Sequence, residues 1–318
     1  MSSVYPNTSG IPYIPINRKE TIMDLFSTLC IIIAGILWGT MGIFVRYLGN
    51  FGFSSLQIAC MRIIITGILF FLFLIVIDKE KLKIKKKDIP LFLAMGWGSI
   101  LFFTICYFTT IQTTSLAIAA ILLYTSPIFV VVLSSVFLQE KITGIKMAAL
   151  SIAFVGCILV SGVGGAAVIT GKGFIIGLCS GLGYGLYSIF GSLLLKKYHP
   201  YTVSAYAFIF AGIGAICICD LPDIIGKIYV SGNILGMLGF ILLTGAVTAF
   251  VPFLLYTLGL QKVEASKAAI MAMIEPLVAA LIGIFVFKEV LTVQAASGIV
   301  CIFLAIMLLN NKTKEKDN

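Results

Sequence analysis

The sequence predicts an all-α integral membrane protein in which ten transmembrane helices form two inverted repeats of five. Three observations lead to this fold class. Hydrophobic residues make up 60% of the 318-residue chain and charged residues only 11%, whereas a soluble domain carries roughly 25% charged residues. Apolar stretches of about 20 residues, the length that crosses a bilayer, recur along the chain. The two halves of the chain also match each other at a constant offset.

Ten apolar segments are long enough to be interpreted as membrane-spanning helices, and they leave no room for a soluble domain. The predicted helices cover residues 25–47, 55–77, 89–111, 116–138, 145–163, 173–195, 203–219, 234–258, 265–287 and 294–310. Residues 1–24 are predicted to be a tail. Because residues 1–20 are polar and no small-residue cleavage site follows, we expect the first helix to be retained and not removed as a signal peptide.

An internal repeat is visible around two prolines. Pro127 and Pro276 lie inside long apolar stretches that align without a gap at an offset of 149 residues, and the same offset places Glu140 on Glu289. Because each copy holds five helices, the second copy must insert in the opposite orientation, which is an architecture of secondary transporters. The predicted organisation is a first repeat at 25–163, an external linker at 164–172, an inverted second repeat at 173–310 and a tail at 311–318.

Lysine and arginine residues are distributed unevenly between the predicted loops. If the N-terminus is cytoplasmic, 17 of the 22 basic residues fall in cytoplasmic segments and 4 in external ones. This is the positive-inside pattern of membrane proteins. We therefore expect a multi-pass protein of the plasma membrane with both termini in the cytoplasm, Lys83 inside, and Lys172 and Lys227 outside. The same topology accounts for the net charge of +9, so no nucleic acid partner is expected.

The residue types within the predicted helices argue against an enzyme. These helices contain no histidine and no cluster of carboxylates suited to metal or acid–base chemistry. The eight cysteines all fall in apolar segments and lack the spacing of a zinc site. We expect no metal and no cofactor. Because no nucleotide-binding segment is present, the energy for transport would come from a gradient.

Several short motifs occur in an order that resembles the drug/metabolite transporter superfamily, in its ten-helix EamA-type family. They are Ile36-Leu-Trp-Gly-Thr40, Arg62, Leu123-Tyr-Thr-Ser-Pro127, Leu138-Gln-Glu-Lys141, Glu275-Pro276 and Lys288-Glu289. The resemblance extends over nearly the whole chain. It implies ten helices with both termini cytoplasmic, a central cavity open to one side at a time, and a small metabolite as substrate. It does not imply one particular substrate.

Glu275 is the sharpest candidate for a functional residue. It lies ten residues into its predicted helix, so about 15 Å deep, and an ionisable group there costs on the order of 3 kcal/mol. Pro276 removes a backbone hydrogen bond beside it, and we predict helix breaks at both Pro127 and Pro276. A carboxyl at such a break can bind a cation or carry a proton. Alternatively, it is structural, either paired with Arg62 or kept protonated by burial.

Arg62 lies in the second predicted helix, nearer to the outer surface. Its guanidinium group can bind a carboxylate through two hydrogen bonds. The interpretation that we favour from sequence is different: Arg62 links two helices or extends its side chain to the membrane surface.

The repeat also predicts where a substrate would bind. In an inverted repeat the site lies near the midplane where the two halves meet, and matched helices place aromatic residues and one carboxylate there. The predicted substrate-binding residues are Trp38, Tyr124, Ser126, Tyr184, Met271 and Glu275. An aromatic wall with one carboxylate suits an amine. We expect an amino acid if Arg62 also reaches the cavity, and a simple organic cation if it does not.

The sequence thus predicts a secondary active transporter that moves a small metabolite, an amino acid, an amine or an amphiphilic drug by alternating access. We expect export, with proton coupling at Glu275, and partners limited to the substrate and the lipid bilayer, in a monomer or homodimer. One alternative is an importer of a small organic cation such as choline. An alternative of another class is a non-transporting membrane scaffold or regulatory protein.

Overall fold

The computed structural model describes residues 18–162 and 170–311, with side chains over 23–162 and 170–309. Most of the two predicted tails and most of the predicted linker at 164–172 lie outside these ranges. Within them the chain is all-helical and contains no β-strand. The all-α fold class predicted from composition therefore holds for the described part of the chain.

In the described ranges ten main helical segments follow one another, and we number them in chain order. They are α1 (Met23–Gly49), α2 (Ser55–Ile77), α3 (Lys86–Thr113), α4 (Leu116–Phe137), α5 (Gly144–Val160), α6 (Gly171–Leu195), α7 (Pro200–Ile218), α8 (Ile234–Gly259), α9 (Ala265–Phe285) and α10 (Val293–Leu309). Eight of them are long and apolar enough to cross a membrane, whereas α5 and α10 are shorter apolar helices.

A further short helix, Leu221–Val230, lies between α7 and α8. This stretch lies between the helices predicted at 203–219 and 234–258. Asp220 caps the helix by accepting a hydrogen bond from the backbone N–H of Asp223, and Pro222 lies in its first turn, where a missing N–H has no cost. This start signal was available in the sequence.

Two of the long helices are interrupted near their middle. In α4 the helix Leu116–Leu123 ends and a second helix, Ser126–Phe137, begins. In α9 the corresponding pieces are Ala265–Met271 and Ile274–Phe285. Each second piece carries a proline within its first three residues. Because proline has no N–H and its ring clashes with the preceding turn, a proline is tolerated at a helix start and not in a continuous helix interior.

Helix α1 is interrupted too, between Gly39 and Met41. The side chain of Thr40 donates a hydrogen bond to the carbonyl of Leu37 at 2.7 Å, which satisfies one acceptor at the break. Helices α3 and α8 each contain a π-helical stretch, Ala94–Leu101 and Ala246–Phe250. Such stretches are frequent at functional sites.

Glycines bring the helices α1 and α6 into contact with the interrupted helices. A Cβ atom added at Gly39 of α1 would lie 2.6 Å from Val278 Cβ and 2.8 Å from the carbonyl oxygen of Glu275 in α9. A Cβ atom added at Gly181 of α6 would lie 2.7 Å from the carbonyl oxygen of Leu122 in α4. The small residues thus allow close backbone approach at both interruptions.

Contacts between loops define two ends of the helix bundle. At one end Lys197 pairs with the buried Asp88 at 2.7 Å, and the Glu140 carboxylate accepts a hydrogen bond from the N–H of Ala265 at 2.7 Å. Helix α1 starts here as well, because Gly259, at the end of α8, packs on Ser27. We call this end, where the described chain starts, the termini end.

The other end, which we call the opposite end, carries its own polar contacts. Arg46 forms an ion pair with Glu289. Gln57 donates a hydrogen bond to Asp223 at 2.6 Å, and Lys227 pairs with the same carboxylate. The hydrogen bonds from Lys227 and Gln57 hold the pKa of Asp223 below its usual range. Asp223 therefore stays ionised at neutral pH and ties the short helix to the start of α2.

The glycine contact on α4 yields a stability prediction. We expect Gly181→Ala to destabilise the protein by about 1–3 kcal/mol, because the new methyl group would overlap a backbone carbonyl that cannot rotate away. The matched control is Gly239→Ala, at a helical glycine with no atom within 4 Å of an added Cβ. That change should leave stability unaltered or raise it by about 0.4–1 kcal/mol. Thermal unfolding of the purified protein in detergent compares the two, and equal effects would contradict the packing described.

Candidate functional site

A cavity of about 340 Å³ lies between the two halves of the chain. Its volume falls within the range of about 300–1,000 Å³ that is typical of small-molecule sites. Residues near the helix ends at the opposite end form its mouth, among them Val45, Ser55, Ile111 and Leu116. Leu116 is 62% exposed. The cavity therefore opens at the opposite end.

An aromatic layer forms the floor of this cavity. The rings of Trp38 and Phe253 meet edge to face with centroids 5.0 Å apart, and the centroids of Trp38 and Tyr184 lie 6.2 Å apart. The same three residues line a second cavity of about 30 Å³ beyond the layer. A cavity of this size has room for water and not for a metabolite. In the described part of the chain, the space large enough for a metabolite therefore lies on the side of the layer that faces the opposite end.

Glu275 lies at the floor, immediately after the interruption of α9. Its carboxylate accepts a hydrogen bond from the hydroxyl group of Tyr184 at 3.3 Å. Its backbone N–H donates to the carbonyl of Ala272 at 3.0 Å, which closes the turn at the interruption. The side chain lines both cavities. The break in α9 thus places a carboxylate at mid-depth with one face open to the larger cavity.

Arg62 reaches the same cavity from α2. Its Nη1 atom donates to the sulfur of Met41 at 3.5 Å, and a thioether is a weak acceptor. Its Nε atom is buried and has no hydrogen-bond partner among the described residues. No ion pair within 4 Å joins Arg62 to Glu275 or to any other described carboxylate. The link between helices that we favoured from sequence is therefore not formed to a carboxylate.

The side-chain hydrogen bonding of the large cavity differs from that of the closed half below the floor. Trp38 Nε1 and Arg62 Nε are the two buried side-chain nitrogen or oxygen atoms without a partner in the described ranges, and both residues line the large cavity. Below the floor the hydroxyl groups are paired: Tyr187 with Thr257 at 2.8 Å, and Ser188 with Tyr256 at 2.8 Å. A buried donor without a partner costs about 1–3 kcal/mol. Both unpartnered nitrogens are buried within the wall and are not exposed to the open space of the cavity.

The structure brings most of the predicted site residues together. The residues that line the smaller cavity include Trp38, Tyr124, Ser126, Pro127, Tyr184 and Glu275. Of these, Trp38, Tyr184 and Glu275 also line the larger cavity. Pro276 is buried behind them at the start of the second piece of α9.

Met271 lies apart from this group. It is 2% exposed, packs in the core and lines neither cavity. The sequence predicts that Met271, one turn before Glu275, lines the same space, but residues four apart share a face only within an uninterrupted helix. The interruption at Ala272 and Met273 breaks that register, and Met273 lines the smaller cavity instead.

Several cavity residues were not predicted from the sequence. Tyr187 and Ser188 follow Tyr184 by three and four residues in α6, so the helical spacing could have placed them on the same face. Phe103 and Phe253 line the larger cavity as well. They follow or adjoin the π-helical stretches of α3 and α8, and a shifted helical register of this kind is not visible in a single sequence. Within the described ranges no three His, Cys, Asp or Glu side chains cluster as a metal site requires.

The fold and cavity define a multi-pass helical membrane protein with a central site of metabolite size. The family model described as the EamA-like transporter family matches the chain twice, over residues 25–162 and 171–311. The chain belongs to the EamA-like transporter family.

Similar proteins that align with this chain over most of their length are named as transporters. An uncharacterized transporter of Archaeoglobus fulgidus is 31% identical over 86% of this chain and 92% of its own length, and a second from the same organism is 30% identical over 86% and 95%. The uncharacterized transporter YwfM of Bacillus subtilis is 25% identical over 92% and 95%. A crystal structure of a protein superposes with a TM-score of 0.74 over 92% of this chain and 99% of the other, at 13% identity. The last likeness shows the fold alone.

The exposure of the cavity wall can be tested with two neighbouring residues. Ala120 lines the large cavity, whereas Ala119 is 0% exposed. In a background without the eight native cysteines, we expect Ala120→Cys to react with a small charged thiol reagent at least about tenfold faster than Ala119→Cys, because a buried thiol reacts only after local opening. Labelling rates of the purified protein measure this difference. Equal rates would mean that the cavity is not open to solvent.

Proposed function

We propose that this protein is a secondary active transporter of a small zwitterionic metabolite, of which an amino acid is the simplest example. One observation carries the proposal: Arg62 and Glu275 line the same cavity without forming an ion pair. An ionised side chain within a membrane costs on the order of 3 kcal/mol even on permissive scales. Because the two groups form no ion pair within 4 Å, a ligand that contacts both would offset this cost.

The two groups would recognise opposite ends of the ligand. Glu275, with the aromatic rings of Trp38 and Tyr184 beside it, suits an ammonium group, since aromatic faces attract cations. Arg62 suits a carboxylate, which it can bind through two parallel hydrogen bonds. Arg62 lies about 10 Å along α2 from the opposite end and Glu275 about 15 Å along α9 from the termini end, so both reach the middle of the bundle.

The architecture that we propose has ten transmembrane helices in two inverted repeats, with boundaries at 25–163 and 173–310. Helices α5 and α10 are as long as the shortest helices that cross a bilayer, which have about 17 residues. Support comes from the interruptions of α4 and α9 and from the glycine contacts on both. We propose that both termini lie in the cytoplasm of a plasma-membrane protein, and the excess of lysine at the termini end supports this orientation.

Alternating access would then move the ligand. With the termini end inside, the large cavity faces outward and the aromatic layer closes the cytoplasmic side. We propose export, in exchange for protons at Glu275. A single carboxylate can hold a proton or an ammonium group at one time, so release of the ligand outside and uptake of a proton there are linked.

Two other functions are less well supported. An importer of a simple organic cation such as choline has no use for Arg62 in the cavity, because a like charge would raise the cost of binding. A scaffold or regulatory protein has no use for a cavity of metabolite size that is lined by both an arginine and a glutamate.

Transport by reconstituted protein tests the proposal. We expect Glu275→Gln to abolish amino acid movement driven by a proton gradient in liposomes, because the only proton-binding group in the cavity among the described carboxylates is lost. Arg62→Gln should weaken the apparent affinity for the amino acid about tenfold or more, since a hydrogen bond to a charged group is worth about 1.5–3 kcal/mol.

The matched control is Glu80→Gln, at a carboxylate that is 76% exposed in a loop. This variant should transport like the unaltered protein. Normal rates and normal proton dependence in Glu275→Gln would contradict the coupling role of that residue. Failure of the unaltered protein to move any amino acid in a panel would contradict the proposed substrate class.

A further inference from the structure

The turns that follow α4 and α9 have the same backbone conformation. Gln139 and Lys288, which are 149 residues apart, have positive φ angles of 59° and 58°. The backbone N–H of the next residue donates to a carbonyl six residues earlier in both turns, at 3.2 Å for Glu140 and 3.0 Å for Glu289. A glutamate therefore stands in the same local geometry at each end of the bundle.

At the termini end, Glu140 joins its turn to the start of α9. Its carboxylate accepts hydrogen bonds from the backbone N–H groups of Ala265 at 2.7 Å and Ser266 at 3.1 Å, and from the Ser266 hydroxyl group. The carboxylate also complements the partial positive charge of the helix start. Lys146, 3% exposed, lies 3.7 Å from Glu140 and 2.9 Å from Glu264. This end is closed and tightly bonded.

At the opposite end, the equivalent contact is not made. The repeat offset places Leu116 and Ala117, at the start of α4, on Ala265 and Ser266. Among the described residues, the backbone N–H groups of Leu116 and Ala117 have no hydrogen-bond partner. Glu289 instead forms an ion pair with Arg46, and its side chain is 51% exposed.

The packing of α4 against α9 also differs between the two ends of the bundle. The first piece of α9 packs along the second piece of α4 at the termini end. At the opposite end, the first piece of α4 and the second piece of α9 stand on two sides of the large cavity, where Leu116, Ala120 and Ala279 form its walls. Helices α4 and α9 therefore contact each other at the termini end and are separated by the cavity at the opposite end.

We propose that Glu140 and Glu289 are alternating latches of the two ends, an inference that rests on the alternating access proposed above. When the opposite end closes, Glu289 leaves Arg46 and caps the backbone N–H groups of Leu116 and Ala117. When the termini end opens, Glu140 leaves Ala265 and Ser266. Arg46 competes for Glu289 and thereby keeps the opposite end open.

Accessibility of the closed half tests the latch without any substrate. Ser188 is 4% exposed and lines the small cavity, so a Ser188→Cys thiol in a cysteine-free background reacts with a maleimide only while the termini end is open. We expect Glu140→Gln to raise the labelling rate about tenfold, because it removes the hydrogen bonds of the closed termini end.

Variants of the two partners in the Arg46–Glu289 ion pair distinguish the latch from a pair that only stabilises the open state. Arg46→Gln should raise the labelling rate about two- to fivefold, since an exposed pair contributes little. Glu289→Gln should lower it about threefold or more, because it also removes the cap of the other state. If the pair merely stabilised the open state, both variants would raise the rate. The same direction in both variants, or no change in either, overturns the proposal.

Cross-linking provides a second test that does not depend on these rates. Leu116→Cys combined with Glu289→Cys should form a disulfide under copper–phenanthroline oxidation, and the cross-linked protein should label at Ser188→Cys faster than its reduced form. Absence of the cross-link overturns the proposal. If the protein transports amino acids but Arg46→Gln and Glu289→Gln change the labelling rate in the same direction, the proposed function stands and the latch is wrong. If it transports no amino acid but the two variants change the labelling rate in opposite directions, the latch stands and the proposed substrate class is wrong.

Discussion

The close contact of glycines with two interrupted helices is the constraint on which the cavity depends. A helix break within a membrane leaves backbone groups that lipid cannot satisfy. Here the breaks close on themselves: the N–H of Thr125 donates to the carbonyl of Leu122 at 3.2 Å, and the N–H of Met273 to that of Ile270 at 3.1 Å. Glycines of α6 and α1 then cover the breaks. Covered in this way, the breaks exclude lipid and can present polar side chains to the interior.

The charges of the cavity follow from this arrangement. Glu275 stands just after the covered break of α9, and Arg62 faces it from α2 within one cavity. Each side chain has only a weak or long hydrogen bond, to Met41 at 3.5 Å and from Tyr184 at 3.3 Å. Below the floor, by comparison, Tyr187 and Ser188 form hydrogen bonds of 2.8 Å with Thr257 and Tyr256. The weak hydrogen bonding of Arg62 and Glu275 agrees with their proposed role in binding a ligand that carries two opposite charges.

The sequence predicted the parts of this site that depend on residue type and depth. Glu275 beside a proline at mid-depth, and the aromatic residues Trp38 and Tyr184, needed only the length of the apolar segments. The direction in which each side chain points was harder to predict, because it depends on the register of the helix. Met271 was misplaced by the break after it, and Arg62 could not be assigned to the cavity because α2 is apolar on nearly all of its faces. The prolines predict a break in α4 and one in α9, but a single sequence does not show at which residue a helix is interrupted or how it is rotated.

Binding of three matched compounds to the purified, unaltered protein tests the central claim most directly. The three are an amino acid, the amine that lacks its carboxylate and the acid that lacks its amino group, each at the same concentration. A ligand that binds the folded state raises the midpoint of thermal unfolding by mass action. If Arg62 and Glu275 bind the two ends of one ligand, at least one amino acid in a panel raises the midpoint clearly more than its amine and its acid do. An amine that raises the midpoint as much as its parent amino acid would contradict the account.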